Sequence, residues 1–357
     1  MKRMNKLLAL LLAVLMVFAM AACGEKPNTD PEVVDPAPVE TTYPLTVTDM
    51  AGREVTIESE PQRIVSGYYI SSSACIALGL TDRMVGVEDK SNKRPIYKLA
   101  APELIDLPNV GSAKEFNLEA CLGAEPDLVI LPMKQKDTAA TLTEMGIPTL
   151  LVLPESHEQI IEMFTLIGTV ANVQDAANTL ISYYTGKLAA VEALTRDLTD
   201  EQKPVVYIGG TSSYLTTAPK DMYQASLITA AGGINAGAGI EGNSWTEVGY
   251  ENLLAMDPAY IVIPTNNFAT AAPDYTAEDV LADAQLAEVT AVKNGAVYQM
   301  TTGFEAWDSP APSGILGTLW MLKTIHPELY TQEQFVADVQ EFYQTFYGFA
   351  VTADQIN

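Results

Sequence analysis

Asn117-Leu-Glu-Ala-Cys-Leu-Gly-Ala-Glu-Pro-Asp-Leu-Val-Ile-Leu-Pro132 aligns without a gap to Gly249-Tyr-Glu-Asn-Leu-Leu-Ala-Met-Asp-Pro-Ala-Tyr-Ile-Val-Ile-Pro264. Each copy reads as a short helix, a break at an acidic residue and proline, and a fully apolar strand that closes on a second proline. Ser112 and Glu115 keep register with Ser244 and Glu247, so the echo reaches upstream of both helices. A chain that repeats a helix-turn-strand unit this way is built of two like halves. Glu119 and Glu251 fall at matching places in the first helical turn, where a carboxylate complements the helix dipole and also stands free for a partner.

Working outward, the pattern on both sides is strand and helix in alternation, the signature of a mainly parallel sheet covered on both faces. Leu45 to Ile57 predicts a hairpin around an Asp-x-x-Gly turn. Strands follow at 63–66, 84–87, 128–131 and 149–152, with a helix over Ser71 to Leu80 and another ending at Met145. A helical stretch without proline then runs over 158–170 and 174–196. A second series opens with a strand at 204–208 and continues with a helix at 222–231, strands at 260–263 and 296–299, and helices at 315–325 and 333–346. The division predicted is a first lobe over 43–170, a connecting helix over 171–200 and a second lobe over 201–357, whose last helix has the option of packing back on the first lobe.

The N-terminal end sets the compartment. Lys2, Arg3 and Lys6 precede an uncharged apolar run that ends in Met20-Ala21-Ala22-Cys23-Gly24, which resembles a lipoprotein signal over residues 1–22 with Cys23 as the lipidated residue. Residues 23–42 are rich in proline and acidic side chains and read as a disordered tether. The expected location is therefore extracytoplasmic, with the chain anchored to the cell membrane by its lipid. A formal net charge of −25 excludes nucleic acid as a partner. Cys75 and Cys121 are too few for a disulfide framework, and their predicted helical, apolar settings favour free thiols. His157 and His326 stand apart without ligand spacing, so no protein metal site is expected.

Ligands of parallel sheets bind beyond the carboxyl ends of the strands. That rule selects Tyr68, Tyr69 and Ser71 after the first strand, and Met133 and Lys134 after Leu131-Pro132. In the second half it selects Thr211 and Tyr214, then Asn266 and Asn267 within the Thr265 to Phe268 loop, then Glu305 and Trp307. Trp245 joins by its place in the repeat. Arg94, Lys98 and Lys114 add positive charge suited to carboxylates or an oxyanion. The aromatic share suits an organic ligand better than a bare ion. For each of these residues the structural alternative is a core or loop-capping role, and for the basic ones a solvated surface.

Taken in order, Val47-Thr-Asp-Met-Ala-Gly-Arg-Glu-Val, Pro61-Gln-Arg-Ile-Val, Asn109-Val-Gly, the two Glu-x-x-Leu…Pro units and Trp307-Asp-Ser-Pro-Ala-Pro-Ser-Gly-Ile-Leu-Gly carry a family likeness. From Tyr43 onward the chain resembles the class III solute-binding proteins of ABC importers for ferric siderophores, haem and cobalamin. The resemblance implies an α/β fold of two Rossmann-like lobes with mainly parallel central sheets, joined by one long connecting helix, with the ligand in the cleft between them and little hinge motion. It implies no catalysis and no intrinsic cofactor. The ligand it implies is metal-containing: a ferric siderophore or haem first, a corrinoid second, molybdate or tungstate third. The implied partners are an ABC permease dimer with its cytoplasmic ATPase, met by Glu119 and Glu251, with the receptor itself a monomer. Two other classes compete, a secreted α/β enzyme and a structural surface lipoprotein. The sequence has no Gly-x-Ser-x-Gly elbow and no phosphate-binding Gly-Lys-Ser/Thr motif to support the first.

Overall fold

The computed structural model describes residues 41–264, 274–300 and 303–356, and the structural statements below concern these. Cys23, the tether up to residue 40, and Asn266 and Asn267 lie outside them. Thr41, which the sequence reading assigned to the tether, is already fastened to the body: its N–H donates to Asn172 Oδ1 (2.8 Å) and its hydroxyl to the Thr169 carbonyl (2.9 Å).

The chain opens with the hairpin, β1 (Leu45–Thr48) paired antiparallel to β2 (Glu54–Ile57). Buried Asp49 organises the turn, accepting from the N–H groups of Ala51 and Arg53, and reaches across to the Leu151 N–H at 3.0 Å. The first half then continues through β3 (Ile64–Ser66), α1 (Tyr69–Ala77), β4 (Met84–Val87), α2 (Pro95–Ala100), α3 (Leu118–Gly123), β5 (Leu128–Pro132), α4 (Lys136–Glu144) and β6 (Thr149–Val152). Helix α1 begins two residues before the sequence reading placed it, because the backbone leaves its extended form at Tyr68. Tyr69 and Ser71 are therefore helical residues, not loop residues.

Two helices link the halves: α5 (His157–Val170), capped by Ser156 Oγ on the Gln159 N–H, and α6 (Gln174–Thr195), 22 residues long. Asn172 turns the chain between them in the left-handed conformation. The second half comprises β7 (Val205–Ile208), β8 (Thr216–Thr217), α7 (Tyr223–Ala230), β9 (Ile234–Asn235), β10 (Thr246–Glu247), α8 (Gly249–Met256), β11 (Tyr260–Ile263), α9 (Ala277–Ala282), α10 (Thr290–Lys293), β12 (Val297–Gln299), α11 (Gly314–Ile325) and α12 (Gln332–Tyr347). The antiparallel pairing of β8 with β10 had no counterpart in the sequence reading.

Both main sheets are parallel and share one plan. Their strand orders are β4-β3-β5-β6 and β9-β7-β11-β12, so in each the first strand lies between the second and the third, and the fourth flanks the third. The repeated sequence units are α3-β5 and α8-β11, which occupy the same place in each half. Their acidic-proline breaks match in detail, since Glu125 (φ 48°) and Asp257 (φ 38°) both take the left-handed form that stops the helix. Strand residues alternate between two cores. Ile64, Leu128 and Ile130 face the main cluster, whereas Val65, Val129 and Leu131 face a satellite under α4. In the second sheet Val206, Ile208 and Val262 face that same main cluster, and Tyr207, Ile261 and Ile263 face another satellite. The two sheets therefore turn one face each to a common apolar body, filled by α5, α6, α11 and α12. Helix α12 also packs back on α1.

Candidate functional site

A parallel sheet opens a crevice where neighbouring strands run to helices on opposite faces. In the first half this point lies between β3 and β5, and a hollow of about 90 Å³ is found there. Tyr68 closes it on the β3 side, Met133 and Lys134 on the β5 side, and Val152 to Glu155 beyond β6. Gly67 makes the exit from β3 possible: a Cβ there would stand 2.7 Å from Leu131 Cδ2 and 2.8 Å from Phe116 Cε2. Burial, reinforced by Glu155, pushes the Tyr68 phenol well above its ordinary range, so it is a neutral hydroxyl at physiological pH. Partial burial also raises the Glu155 carboxyl, and Lys134 opposes that shift. Lys134 itself is exposed and brings a mobile positive charge to the rim. Exposed Lys114 is next to Ala113, which also lines the hollow.

A second constellation lies on α1. The Arg94 guanidinium stacks on the Tyr69 ring, 3.7 Å from its centroid, and its Nε is 3.9 Å from Glu88 Oε1. Glu88 is buried and accepts from the Tyr97 hydroxyl (2.6 Å) and the Ser72 hydroxyl (2.5 Å). On the other side of Tyr69 the partner is Glu305 from the second half, fully buried. Its Oε1 accepts from Ser73, and faces the Tyr69 and Tyr347 hydroxyls at 3.3 Å each. Burial raises both carboxyls above the ordinary range; hydrogen bonds led by Ser72 at Glu88 and by Ser73 at Glu305 pull them part of the way back. Beside this seam lies a hollow of about 440 Å³ whose walls come from both halves: Pro95, Lys98 and Leu99 on one side, Gly303 and Phe304 on the other, with Gln355.

The structure thus brings Tyr68, Met133 and Lys134 together at one hollow, and Tyr69, Arg94 and Glu305 at the seam. The remaining candidates lie elsewhere. Trp307 is a core residue, wholly enclosed, donating its indole N–H to Tyr343 (2.9 Å) with its ring edge-on to Phe335. Ser71 is buried and shares hydrogen bonds with Ser66 and the Tyr68 carbonyl. The Tyr214 hydroxyl is held by Asp283 at 2.7 Å, alongside Tyr250. Trp245 is half-buried against the main core. Glu119 and Glu251 are exposed in the first turns of α3 and α8. Glu88, Ser72, Ser73, Tyr97 and Tyr347 were missed. Glu88 was within reach, because it is the first residue after β4 and obeys the same strand-end rule as Tyr68.

Cys75 and Cys121 are free, buried thiols, pushed up by burial to about 12 and about 11. His157 bonds through Nδ1 to the Tyr184 hydroxyl at 2.9 Å, and burial pushes its pKa down to about 4. Among the described residues no group of three or more His, Cys, Asp or Glu is placed to hold a metal ion, and no helix is long and apolar enough to cross a membrane.

Residues 64–302 match the family model of the periplasmic binding proteins, and the chain belongs to that family. It is a binding protein of the class III type and not an enzyme. The molybdate-binding protein MolA of Haemophilus influenzae is 24% identical over 84% of this chain and 90% of its own. The molybdate-bound structure of MolA superposes with a TM-score of 0.75 at 21% identity, covering 86% of this chain and 99% of that one. A cobalamin-binding protein of Halobacterium salinarum is 27% identical over 73% of this chain and 68% of its own. The iron(3+)-hydroxamate-binding protein FhuD of Bacillus subtilis is 26% identical over 83% and 90%.

Proposed function

We propose that this chain is the extracytoplasmic, lipid-anchored receptor of an ABC importer, which captures an iron complex, a ferric siderophore or haem, and delivers it to the permease dimer. The observation that carries the reading is the pairing of a strand-end hollow at Tyr68, Met133 and Lys134 with the Arg94 guanidinium stacked on Tyr69, the next residue and the first of α1. Cationic donors beside aromatic walls suit a flat or chelated complex with peripheral oxygens. Glu119 and Glu251, exposed on the two copies of one structural unit, are the residues proposed to meet the permease. Cys23 is the proposed lipid attachment site.

A second reading has its own support. The hollow between β3 and β5 is only about 90 Å³, and a compact oxyanion such as molybdate fills such a space better than a porphyrin does. The test is to purify the protein from its own host grown in iron-poor medium and record visible absorption with native mass spectrometry. A bound mass with ferric charge-transfer or haem bands is the expected result. A corrin spectrum or a colourless oxyanion mass would replace iron as the cargo. A protein that retains nothing, and binds no member of an iron-complex panel on titration, would end the iron reading.

A further inference from the structure

We propose that Glu88 is a positioning residue: it holds the Arg94 guanidinium flat on Tyr69 with its donor edge open, so that the receptor selects cargo presenting a pair of anionic oxygens. The inference rests on the receptor reading above and names the chemistry its ligand must carry.

The case begins with the local backbone. Lys90, in the left-handed conformation, starts a tight turn over Ser91–Lys93, and Pro95 then opens α2 directly after Arg94. With the main chain fixed on both sides of Arg94, its side chain lies across the Tyr69 face at 3.7 Å. The buried Nε has no hydrogen-bond partner among the described residues. A guanidinium carries five N–H donors in a rigid fork, and leaving such donors unmade is costly. Glu88 does not saturate them, because 3.9 Å is an ion-pair distance and too long for a hydrogen bond.

Glu88 is itself unable to swing closer. One oxygen accepts from Tyr97 and the other from Ser72, which is bonded in turn to Ser66. The acid therefore acts as a fixed, buried counter-charge behind the guanidinium, while the stacked ring fixes its plane. The guanidinium fork, on a side chain that keeps 18% of its surface exposed, has the shape that matches two oxygens of a carboxylate, a hydroxamate or an oxyanion. Lys98, one helical turn after Arg94, lines the 440 Å³ hollow between the halves and adds charge of the same sign. An amide-fringed ligand would leave this arrangement unmatched.

The experiment is calorimetric titration of wild type, Arg94→Gln, Arg94→Lys, Glu88→Gln and Glu88→Asp with ferric citrate, haemin, sodium molybdate and cyanocobalamin. Wild type is expected to bind at least one of the three anionic probes. Arg94→Gln should weaken that binding about 10- to 100-fold, the effect of losing charge-assisted hydrogen bonds. Arg94→Lys should recover little of it, since an ammonium neither stacks nor forks. Glu88→Gln, close to isosteric, should weaken binding roughly fivefold to tenfold and Glu88→Asp restore part of the loss, a rescue that a purely structural role would not give. Unchanged affinity in Arg94→Gln, or Glu88→Asp no better than Glu88→Gln, overturns the inference. Wild type binding cyanocobalamin alone overturns it while leaving the receptor reading intact. Wild type binding none of the four overturns both.

Discussion

Ser73, in the first half, donates its hydroxyl to the Glu305 carboxyl of the second half, and both groups are sealed from solvent. Ser73→Ala leaves a buried acceptor short of its nearest donor. The expected cost is about 1–3 kcal/mol, read as a lower urea midpoint with an unchanged slope. Tyr347→Phe removes a 3.3 Å bond to the same oxygen together with a 2.8 Å bond to Ser73 and should cost a similar amount.

Glu88 and Glu305 both have carboxyls raised by burial above the ordinary value of 4.5. In the window between that value and their folded values, the native chain binds more protons than the unfolded one, so these two groups make stability fall as pH rises. Melting temperature recorded from pH 4.5 to pH 8 should therefore decline more in wild type than in the double variant Glu88→Gln/Glu305→Gln, by about 2 °C or more. Parallel curves would show that neither acid titrates abnormally.

Trp307→Phe tests the core assignment of a residue the sequence put forward for the ligand. It deletes the hydrogen bond to Tyr343 and leaves a void against Phe335. A stability loss of roughly 1–3 kcal/mol is expected, with ligand affinity changed less than about twofold. A large affinity loss in a stably folded variant would return Trp307 to the site.

Charge reversal at Glu119 and Glu251 together, both to Lys, is expected to abolish uptake in cells while ligand affinity of the purified protein stays as in wild type. Both side chains are exposed, so the fold should tolerate the change to within about 0.5 kcal/mol. Undiminished uptake would remove these residues from the permease contact.

Gly67→Ala would push a methyl against Leu131 and Phe116 at the exit of β3. Overpacking of this kind costs about 1–3 kcal/mol, and here it also shifts the wall of the Tyr68 hollow. Lower thermal stability together with weaker ligand binding is expected. Binding unaffected at full stability would place the ligand elsewhere.

Much of the architecture was legible because its signals are local. The apolar runs at Leu128–Leu131 and Ile261–Ile263 mark buried strands on their own, and the acidic-proline breaks stop both repeat helices where the residue order says they should. The site was harder, because its neighbours come from far along the chain. Glu305 and Trp307 sit in a stretch rich in glycine and proline with no periodicity, and what encloses them is α12 meeting α1. The same distance hid the partner of Tyr69, whose hydroxyl meets an acid from the other half. Glu88 differs, since it follows β4 directly and answers to the same local strand-end rule as Tyr68 after β3 and Met133 after β5.

The apolar cluster that holds Ile64 and Leu128 also holds Val206, Trp307 and Phe342. One face of each sheet thus lies on an interior that both halves share, while its other face keeps a smaller core of its own. Heating should take the molecule apart in a single calorimetric peak. Two fragments cut between α6 and β7 would each present raw greasy surface when made alone, and become soluble only when produced side by side.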